Sequence, residues 1–183
     1  MSIQNDYLAK VCIFGDGGVG KTSLVKRYLL GTFDTSTSLT IGVDFYVKKL
    51  MIENIKVTLQ LWDMGGEEHF RFILGKYISG SSGGIFMFDI TRYSSLKDIR
   101  DWLEIFREEY DAKRAPGQTL PILMVGGKMD LDEKRSVQKS EALGVLKSQN
   151  LYKYMECSSK TGENVEKVFE TLSKELLRRA GML

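Results

Sequence analysis

A segment near the amino terminus carries the residues best suited to chemistry. It reads Gly-Asp-Gly-Gly-Val-Gly-Lys-Thr over residues 15–22 and matches the phosphate-binding pattern GxxxxGK(S/T) in full. Its glycines let the backbone curl so that successive N–H groups point at phosphate oxygens. The Lys21 ammonium can reach the β- and γ-phosphates of a nucleotide, and the Thr22 hydroxyl can ligate Mg²⁺. The residues expected around the phosphates are Asp16, Gly17, Gly18, Val19, Gly20, Lys21, Thr22 and Ser23.

The sequence on either side of this segment supports the same interpretation. The segment 8–14 is short and mostly apolar and contains β-branched side chains, which is typical of a buried parallel strand. Residues 23–30 place apolar side chains at helical spacing. The order of strand, glycine loop and helix distinguishes a phosphate-binding loop from a chance glycine-rich turn.

A second segment, Asp63-Met64-Gly65-Gly66, directly follows a predicted strand. A carboxylate at this strand end would face the Mg²⁺ held by Thr22 and anchor it, as a nucleoside triphosphatase requires. Gly66 can offer its backbone N–H to the γ-phosphate because it has no side chain to block the approach. We therefore predict that Asp63 and Gly66 belong to the same site as the glycine loop.

Two further segments, 127–130 and 158–160, follow later strands and favour guanine as the base. The Asp130 carboxylate can accept hydrogen bonds from the N1 and N2 donors of guanine, a pair that adenine lacks. The aliphatic stem of Lys128 can lie flat on the purine. The small residues Ser158 and Ser159 let a backbone N–H approach the guanine O6, and Lys160 can pack beside them.

Strand-like and helix-like segments alternate along the chain, which is typical of an α/β fold with helices on both faces of a sheet. Residues 43–52 and 55–62 predict two strands joined by the short polar turn Glu53-Asn54, hence an antiparallel hairpin. We predict a six-stranded, mostly parallel sheet with one antiparallel edge strand. Ligands bind at the carboxyl ends of such strands, where every motif above lies. The remaining predicted strands are 84–89, 121–125 and 153–157, and the remaining helices are 94–112, 137–147 and one that Asn164 caps at its start.

Length and composition indicate a single domain over residues 1–183. The net charge of +2 is too balanced to predict a nucleic-acid partner. Cys12 and Cys157 are expected to be buried thiols rather than a disulfide or a metal site. We expect a cytoplasmic protein without a signal peptide, since no long apolar run is present. The ending Ala-Gly-Met-Leu has no prenylatable cysteine, so membrane attachment is not expected from this sequence.

Together, in this order and spacing, the four motifs resemble those of the small GTPases of the Ras superfamily over essentially the whole chain. Residues 41–45 are similar to the first switch segment of the Rab family, and Phe70-Arg71 with residues 77–80 are similar to its second. The resemblance implies a Ras-like P-loop NTPase fold that binds GTP and GDP with Mg²⁺. It also implies hydrolysis of GTP by in-line attack of water on the γ-phosphate, for which the expected catalytic residues are Lys21, Thr40, Gly66 and Glu67.

The resemblance implies further roles. Thr40 would ligate Mg²⁺ with its hydroxyl, alongside Thr22 and Asp63, and contact the γ-phosphate with its N–H. Phe33 would pack edge-on against guanine. Switch I would span about residues 31–42 and switch II about residues 63–76, and both would order around Mg·GTP and relax after hydrolysis. Exchange factors, activating proteins and effectors, including those of membrane trafficking, would bind through these switches.

This sequence departs from the family pattern at several positions. Glu67 stands where the family has the glutamine that orients the attacking water, which predicts slow hydrolysis unless Glu67 points to solvent. Gly127 replaces the usual Asn or Thr, and the lost hydrogen bonds should weaken nucleotide binding by roughly 1–3 kcal/mol. Gly65 beside Gly66 predicts a more mobile switch II. Gly17 leaves room for a partner's arginine beside the γ-phosphate, unless glycine is required there by loop geometry alone.

Two other functions remain open on the sequence. Glu67 would also suit a module that holds GTP without turning it over. A small-molecule or nucleotide kinase could use the same phosphate-binding loop, but it would need a lid and a second substrate site, and the sequence has neither a lid insertion nor an arginine cluster.

Overall fold

A computed structural model of the chain describes residues 6–36, 38–68, 71–111 and 119–183, with the side chains of residues 72 and 109–111 outside that description. Within these residues one sheet contains all of the long strands. The strands are β1 (Asp6–Phe14), β2 (Val43–Ile52), β3 (Ile55–Met64), β4 (Gly83–Asp89), β5 (Ile122–Gly127) and β6 (Lys153–Glu156). The helices are α1 (Lys21–Leu30), α2 (Arg71–Ile78), α3 (Ser94–Lys97), α4 (Ile99–Asp111), α5 (Lys139–Ser148) and α6 (Val165–Arg179), with a 3₁₀ helix at Met129–Lys134.

The sheet confirms the predicted architecture. Its strand order is β2-β3-β1-β4-β5-β6. Every neighbouring pair is parallel except β2 and β3, which pair antiparallel from Val43 opposite Met64 to Ile52 opposite Ile55. The hairpin therefore adds β2 as one antiparallel edge strand, as its short polar turn predicts.

Helices α1 and α6 cover one face of the sheet. The rings of Tyr28 and Phe169 stack between these two helices with centroids 3.9 Å apart. Leu24, Val168 and Leu172 are buried in the same cluster together with the inward side chains of β1 and β3. This packing fixes α1, and hence the glycine loop that precedes it, against the sheet.

Helices α2 to α5 cover the opposite face. Phe14 stacks on Phe106 of α4 with centroids 3.9 Å apart, and the ring of Trp102 lies 6.0 Å from the same phenylalanine. Cys12 lies in this cluster, while Cys157 follows β6 directly and lies in the other. Both cysteines are buried and free of disulfides, as predicted, and burial raises the pKa of the Cys12 thiol to about 11.

Two predicted helices differ in their bounds. The single helix expected over 94–112 is interrupted at Asp98, whose ψ of 1° leaves the helical range, and residue 112 lies outside the described residues. Helix α5 begins at Lys139 rather than at Val137, because the Gln138 N–H donates to Glu141 Oε2 at 2.8 Å and starts the helix there. In the part of the chain that the structure describes, no helix has the length and apolar composition needed to cross a membrane.

The predicted capping role of Asn164 is wrong. Asn164 stands just before α6, but it has a left-handed conformation with φ of 60° and its side chain does not cap the helix. Instead its Nδ2 donates to the Glu156 carbonyl oxygen at 2.9 Å, which ties the start of α6 to the end of β6.

A buried ion pair joins the 3₁₀ helix to β6. Arg135 Nη1 and Nη2 lie 2.8 and 2.9 Å from the two carboxylate oxygens of Glu156, and the Tyr154 hydroxyl donates to the same carboxylate. The side chains of Arg135 and Glu156 are only 11% and 8% exposed. Because Asp130 lies in this 3₁₀ helix, the pair holds the predicted base-binding segment against the sheet.

We expect Glu156→Gln to lower the free energy of unfolding by about 3 kcal/mol at neutral pH, because it leaves the Arg135 charge buried without its main partner. Burial opposes ionisation of Glu156, but the bonds from Arg135 and Tyr154 outweigh it and hold the pKa of the carboxyl below its ordinary 4.5. The stabilisation is therefore present above pH 4.5 and lost as the pH falls through the lower folded value. Urea unfolding across this range measures both effects.

Lys139→Gln is the matched control, since Lys139 lies 3.8 Å from the same carboxylate but is 69% exposed. It should change the unfolding free energy by less than about 0.5 kcal/mol. Equal stability of the Glu156→Gln variant and the natural protein would show that the pair is not stabilising.

Candidate functional site

A cavity of about 470 Å³ opens at the carboxyl ends of the strands. It is bordered by the loops that follow β1, β3, β5 and β6, and by the segment between α1 and β2. The sequence-predicted residues that line it are Gly17, Gly18, Val19, Gly20, Lys21, Thr22, Ser23, Phe33, Thr40, Gly66, Glu67, Lys128, Asp130, Ser159 and Lys160.

The glycine loop holds Lys21 at the floor of this cavity. Gly20, just before α1, has φ of 106°, a conformation that other residues rarely adopt. The Lys21 ammonium donates to the carbonyl oxygens of Gly15 and Asp16 at 2.7 and 2.8 Å, and the residue is 5% exposed. Burial lowers the pKa of Lys21 to about 8, against the opposing charges of Asp63 and Asp16. A buried cation at a helix N-terminus is well suited to an anionic ligand.

Two hydroxyls and a carboxylate meet beside Lys21. Thr22 Oγ1 lies 2.6 Å from Thr40 Oγ1 and donates to Asp63 Oδ2 at 2.5 Å. Asp63 is fully buried, and its Oδ1 has no hydrogen-bond partner among the described residues. Burial raises the pKa of Asp63 to about 6, although the Thr22 hydroxyl and the Lys21 charge oppose the rise. An unpartnered buried carboxylate oxygen with two hydroxyls fits the hard oxygen donors that Mg²⁺ prefers.

The segment after β3 approaches the glycine loop closely. A Cβ built on Gly66 would lie 2.2 Å from the Gly17 nitrogen, so only glycine fits there. Glu67 lines the cavity, and its carboxylate lies next to Gly17. A Cβ built on Gly17 would lie 2.6 Å from Glu67 Oε1 and 3.7 Å from the Leu39 side chain. The open space expected beside Gly17 is therefore filled by side chains of this chain itself.

A basic side chain also reaches the glycine loop. Arg92, in the turn between β4 and α3, donates from Nη2 to the Gly17 carbonyl oxygen at 2.6 Å. Its charge lies close enough to Lys21 to favour loss of the proton from that ammonium. Nothing in the sequence predicts a role for this residue, because an arginine in a polar turn carries no pattern of its own.

The two predicted switch segments touch through their backbones. The Gly65 N–H donates to the Gly42 carbonyl oxygen at 2.7 Å, and a Cβ on Gly65 would lie 2.7 Å from the Thr40 carbonyl oxygen. Glycine at position 65 thus permits close contact between the segments, which the expectation of a mobile switch II did not consider. Residue 37 of the first segment and residues 69–70 of the second, Phe70 included, lie outside the described residues.

The predicted base-binding residues lie at the far end of the cavity. The Ser158 hydroxyl donates to Asp130 Oδ1 at 2.7 Å and orients the carboxylate. Lys128 has a left-handed backbone, and its ammonium lies 2.7 Å from Asp89 Oδ2, so its stem is held along the cavity wall. Phe33, which is 37% exposed, also lines the cavity. The cavity thus offers a carboxylate acceptor, an aliphatic stem and an aromatic ring among its lining groups.

Three of the predicted residues do not line the cavity. Asp16 contributes its carbonyl oxygen to Lys21, but its carboxylate turns away and accepts hydrogen bonds from Trp102 Nε1 at 3.1 Å and Arg71 Nη2 at 3.2 Å. Asp63 and Ser158 lie behind the lining and act on it through Thr22 and Asp130. The Asp16 carboxylate therefore joins the glycine loop to α2 and α4.

The cavity has further lining residues that sequence reasoning missed. Asp34 accepts hydrogen bonds from the N–H and hydroxyl of Ser36 at 2.8 and 2.6 Å, and this Asp-x-Ser pattern was the signal available for an ordered turn. Met87 had no signal, since a methionine inside a buried strand predicts only core. Among the residues that the structure describes, the missed lining residues are Asp34, Thr35, Ser38, Leu39, Met87 and Leu131.

Comparison with known proteins agrees with this geometry. The family model described as Ras family matches residues 10–178. The chain is 34% identical to Ras-related protein Rab-13 of Canis lupus familiaris over 181 residues, covering 99% of this chain and 86% of that protein. It is 40% identical to Ras-related protein Rab-1 of Theileria parva over 174 residues, 94% of this chain and 76% of that protein. It is 35% identical to GTP-binding protein ypt3 of Schizosaccharomyces pombe over 175 residues, 96% of this chain and 78% of that protein.

Proposed function

Because this chain belongs to the Ras family of small GTPases, we propose that it is a guanine-nucleotide switch that hydrolyses GTP slowly and regulates partner proteins, those of membrane trafficking among them. The observation that carries the proposal is the convergence of Lys21, Thr22, Thr40 and Asp63 at one end of a cavity whose other end holds Asp130. A triphosphate and a guanine base match these two ends.

The phosphate end is suited to Mg·GTP. Lys21 and the N–H groups of the glycine loop would bind the β- and γ-phosphates, and Thr22 and Thr40 would hold Mg²⁺ with Asp63 behind them. Mg²⁺ supplies positive charge that stabilises the phosphoryl oxygens. Contact of Thr40 with the γ-phosphate would exist only in the GTP state, so its loss after hydrolysis would release switch I.

The reaction is attack of a water oxygen on the γ-phosphorus in line with the bridging oxygen. The bond from phosphorus to that oxygen breaks, and GDP and inorganic phosphate leave. Lys21 and the Gly66 N–H stabilise the charge on the phosphoryl oxygens. These groups are fixed by the fold before substrate binds, since Lys21 is held by two carbonyl oxygens and Gly66 packs on Gly17.

Glu67 would make the chemical step slow. A carboxylate can accept a hydrogen bond from the attacking water, but unlike an amide it cannot also donate one to the phosphoryl group. Its negative charge would also lie beside the γ-phosphate, since Glu67 Oε1 lies next to Gly17. A weaker hold on water and repulsion of the phosphate both raise the barrier.

The position of Glu67 also favours a second candidate, a module that holds GTP without turnover. If the carboxylate beside Gly17 excludes the attacking water altogether, the chain would keep GTP until a partner displaces that side chain. Both candidates share the binding site and differ only in the hydrolysis rate.

A partner surface lies next to the switches. Ile41 is 79% exposed and Leu39 57% exposed, and both flank Thr40. On the neighbouring strands the rings of Phe45 and Trp62 lie 4.9 Å apart, and Tyr77 of α2 lies 5.8 Å beyond Trp62. Apolar side chains of this size on a surface indicate a protein interface. Because Thr40 lies inside it, the surface would change shape with the bound nucleotide.

Competition for bound fluorescent GDP tests the proposed binding. GDP and GTP should displace it at least roughly 1,000-fold more effectively than ATP, since Asp130 rejects adenine. Chelating Mg²⁺ should speed its release, and the Thr22→Ala variant should respond less to chelation. Equal competition by ATP, or release that does not depend on Mg²⁺, would contradict the proposed site.

A further inference from the structure

Gly127 ends β5 just before Lys128, which lines the cavity, and its missing side chain leaves a space that another residue fills. A Cβ built on Gly127 would lie 2.4 Å from Met87 Cε, 3.2 Å from the Val19 carbonyl oxygen and 3.4 Å from the Phe88 carbonyl oxygen. The methyl end of Met87 therefore occupies the place that a side chain at position 127 would take.

Met87 reaches this place from the neighbouring strand. It lies in β4, two residues before the Asp89 that pairs with Gly127, and is 1% exposed. Its Cε also lies 3.5 Å from a Cβ built on Gly20 of the glycine loop. Met87 nevertheless lines the cavity, so a single thioether spans from the glycine loop to the start of the base-binding segment.

We propose that Met87 substitutes for the side chain that Gly127 lacks, and that these two residues together set how tightly the chain holds a guanine nucleotide. This inference rests on the proposed binding of that nucleotide. Methionine suits such a role because its unbranched, flexible side chain fills irregular gaps. The contact between the glycine loop and the base-binding segment is thus made by apolar packing rather than by a polar side chain. Met87 acts as a positioning residue.

The inference predicts that the two positions are coupled. Met87→Val removes the methyl end and so loses the packing contact between Gly127 and the glycine loop. Gly127→Asn forces its new Cβ against Met87 Cε, and the displaced methyl must move toward the cavity. In the double variant the space is free for the asparagine, whose amide can join the two segments by hydrogen bonds. Each single change should harm nucleotide binding, and the two together should restore it.

The test is the release rate of fluorescent GDP from the full chain at fixed Mg²⁺ for the natural protein, both single variants and the double variant. We expect each single variant to release GDP roughly 10-fold faster, and the double variant to return to within about threefold of the natural rate. Independent effects would instead multiply to roughly 100-fold in the double variant, and that result would overturn the inference.

Two further variants separate positioning from stability and guard against misfolding. Met124→Val alters a methionine of β5 that is fully buried but does not line the cavity, so it should lower thermal stability and leave GDP release unchanged. Gly127→Ala adds only a Cβ atom. It should therefore speed GDP release from the natural protein and have no further effect in the Met87→Val variant. Equal effects of Gly127→Ala in both backgrounds would overturn the inference.

The failure of this inference is distinguishable from failure of the proposed function. If the natural protein does not bind fluorescent GDP, the proposed function itself is contradicted. If the natural protein binds it and the variants behave independently, only the coupling between Met87 and Gly127 fails.

Discussion

Replacing Asp130 by asparagine should change the preferred base from guanine to xanthine. The Asp130 carboxylate, oriented by the Ser158 hydroxyl at 2.7 Å, would accept hydrogen bonds from the N1 and N2 donors of guanine. An asparagine faces the guanine amine with its own amide donor, whereas xanthine has a carbonyl oxygen at that position. Losing the bond from the amine, together with the charge that strengthens the bond from N1, should weaken GDP binding by about 3 kcal/mol, or roughly 100-fold.

Calorimetric titration with GDP and xanthosine diphosphate measures the affinity for each base in the natural protein and in the variant. Asp132→Asn is the control, because Asp132 lies in the same 3₁₀ helix with its side chain 74% exposed and does not line the cavity. It should leave the preference for GDP intact. A variant Asp130→Asn that keeps the natural ratio of affinities would show that Asp130 does not read the base.

Replacing Lys21 by methionine should weaken GTP binding by about 4 kcal/mol, or roughly 1,000-fold, because it removes charge-assisted bonds to two phosphates. Methionine keeps most of the aliphatic stem, so the loss reports on the ammonium rather than on packing. Lys26→Met provides the control, since Lys26 lies on the same helix but does not line the cavity. Equilibrium titration with fluorescent GTP measures the affinity of the natural protein and of the two variants.

The same lysine should make binding depend on pH. Burial lowers the pKa of Lys21 to about 8 in the free protein, whereas bound phosphate would keep it protonated. Binding above pH 8 therefore takes up a proton, and the affinity should fall by up to about tenfold per pH unit. The Lys21→Met variant should lack this dependence. An affinity that is flat between pH 7 and 9 in the natural protein would contradict the assigned role of Lys21.

The sequence predicted those parts of the molecule whose chemistry requires particular residue types at fixed spacing. The glycine loop between β1 and α1 and the strand that ends at Asp63 are of this kind, because each carries a local pattern. The hairpin of β2 and β3 was predictable for the same reason, since its polar turn separates two runs of strand-forming residues.

Features that depend on contacts between distant segments were not predictable. The apolar stripe of Leu96, Ile99 and Leu103 continues through the break at Asp98, so periodicity alone predicts one helix. Asn164 is of a residue type that often caps helices, but its amide donates a hydrogen bond to the end of β6 instead. Met87 resembles any other core methionine until Gly127 is brought beside it. For Asn164 and Met87 the deciding contact is made with a neighbouring strand of the sheet, which the local pattern does not specify.

Single-turnover hydrolysis of bound GTP, comparing the natural chain with Glu67→Gln, tests the central claim most directly. We predict slow but measurable release of phosphate from the natural chain, and a rate roughly tenfold or more higher in the variant, whose amide can both accept from water and donate to phosphate. Turnover only in the variant would favour the module that holds GTP without hydrolysis. Equal rates in the two proteins, or no turnover in either, would contradict the account of a switch slowed by Glu67.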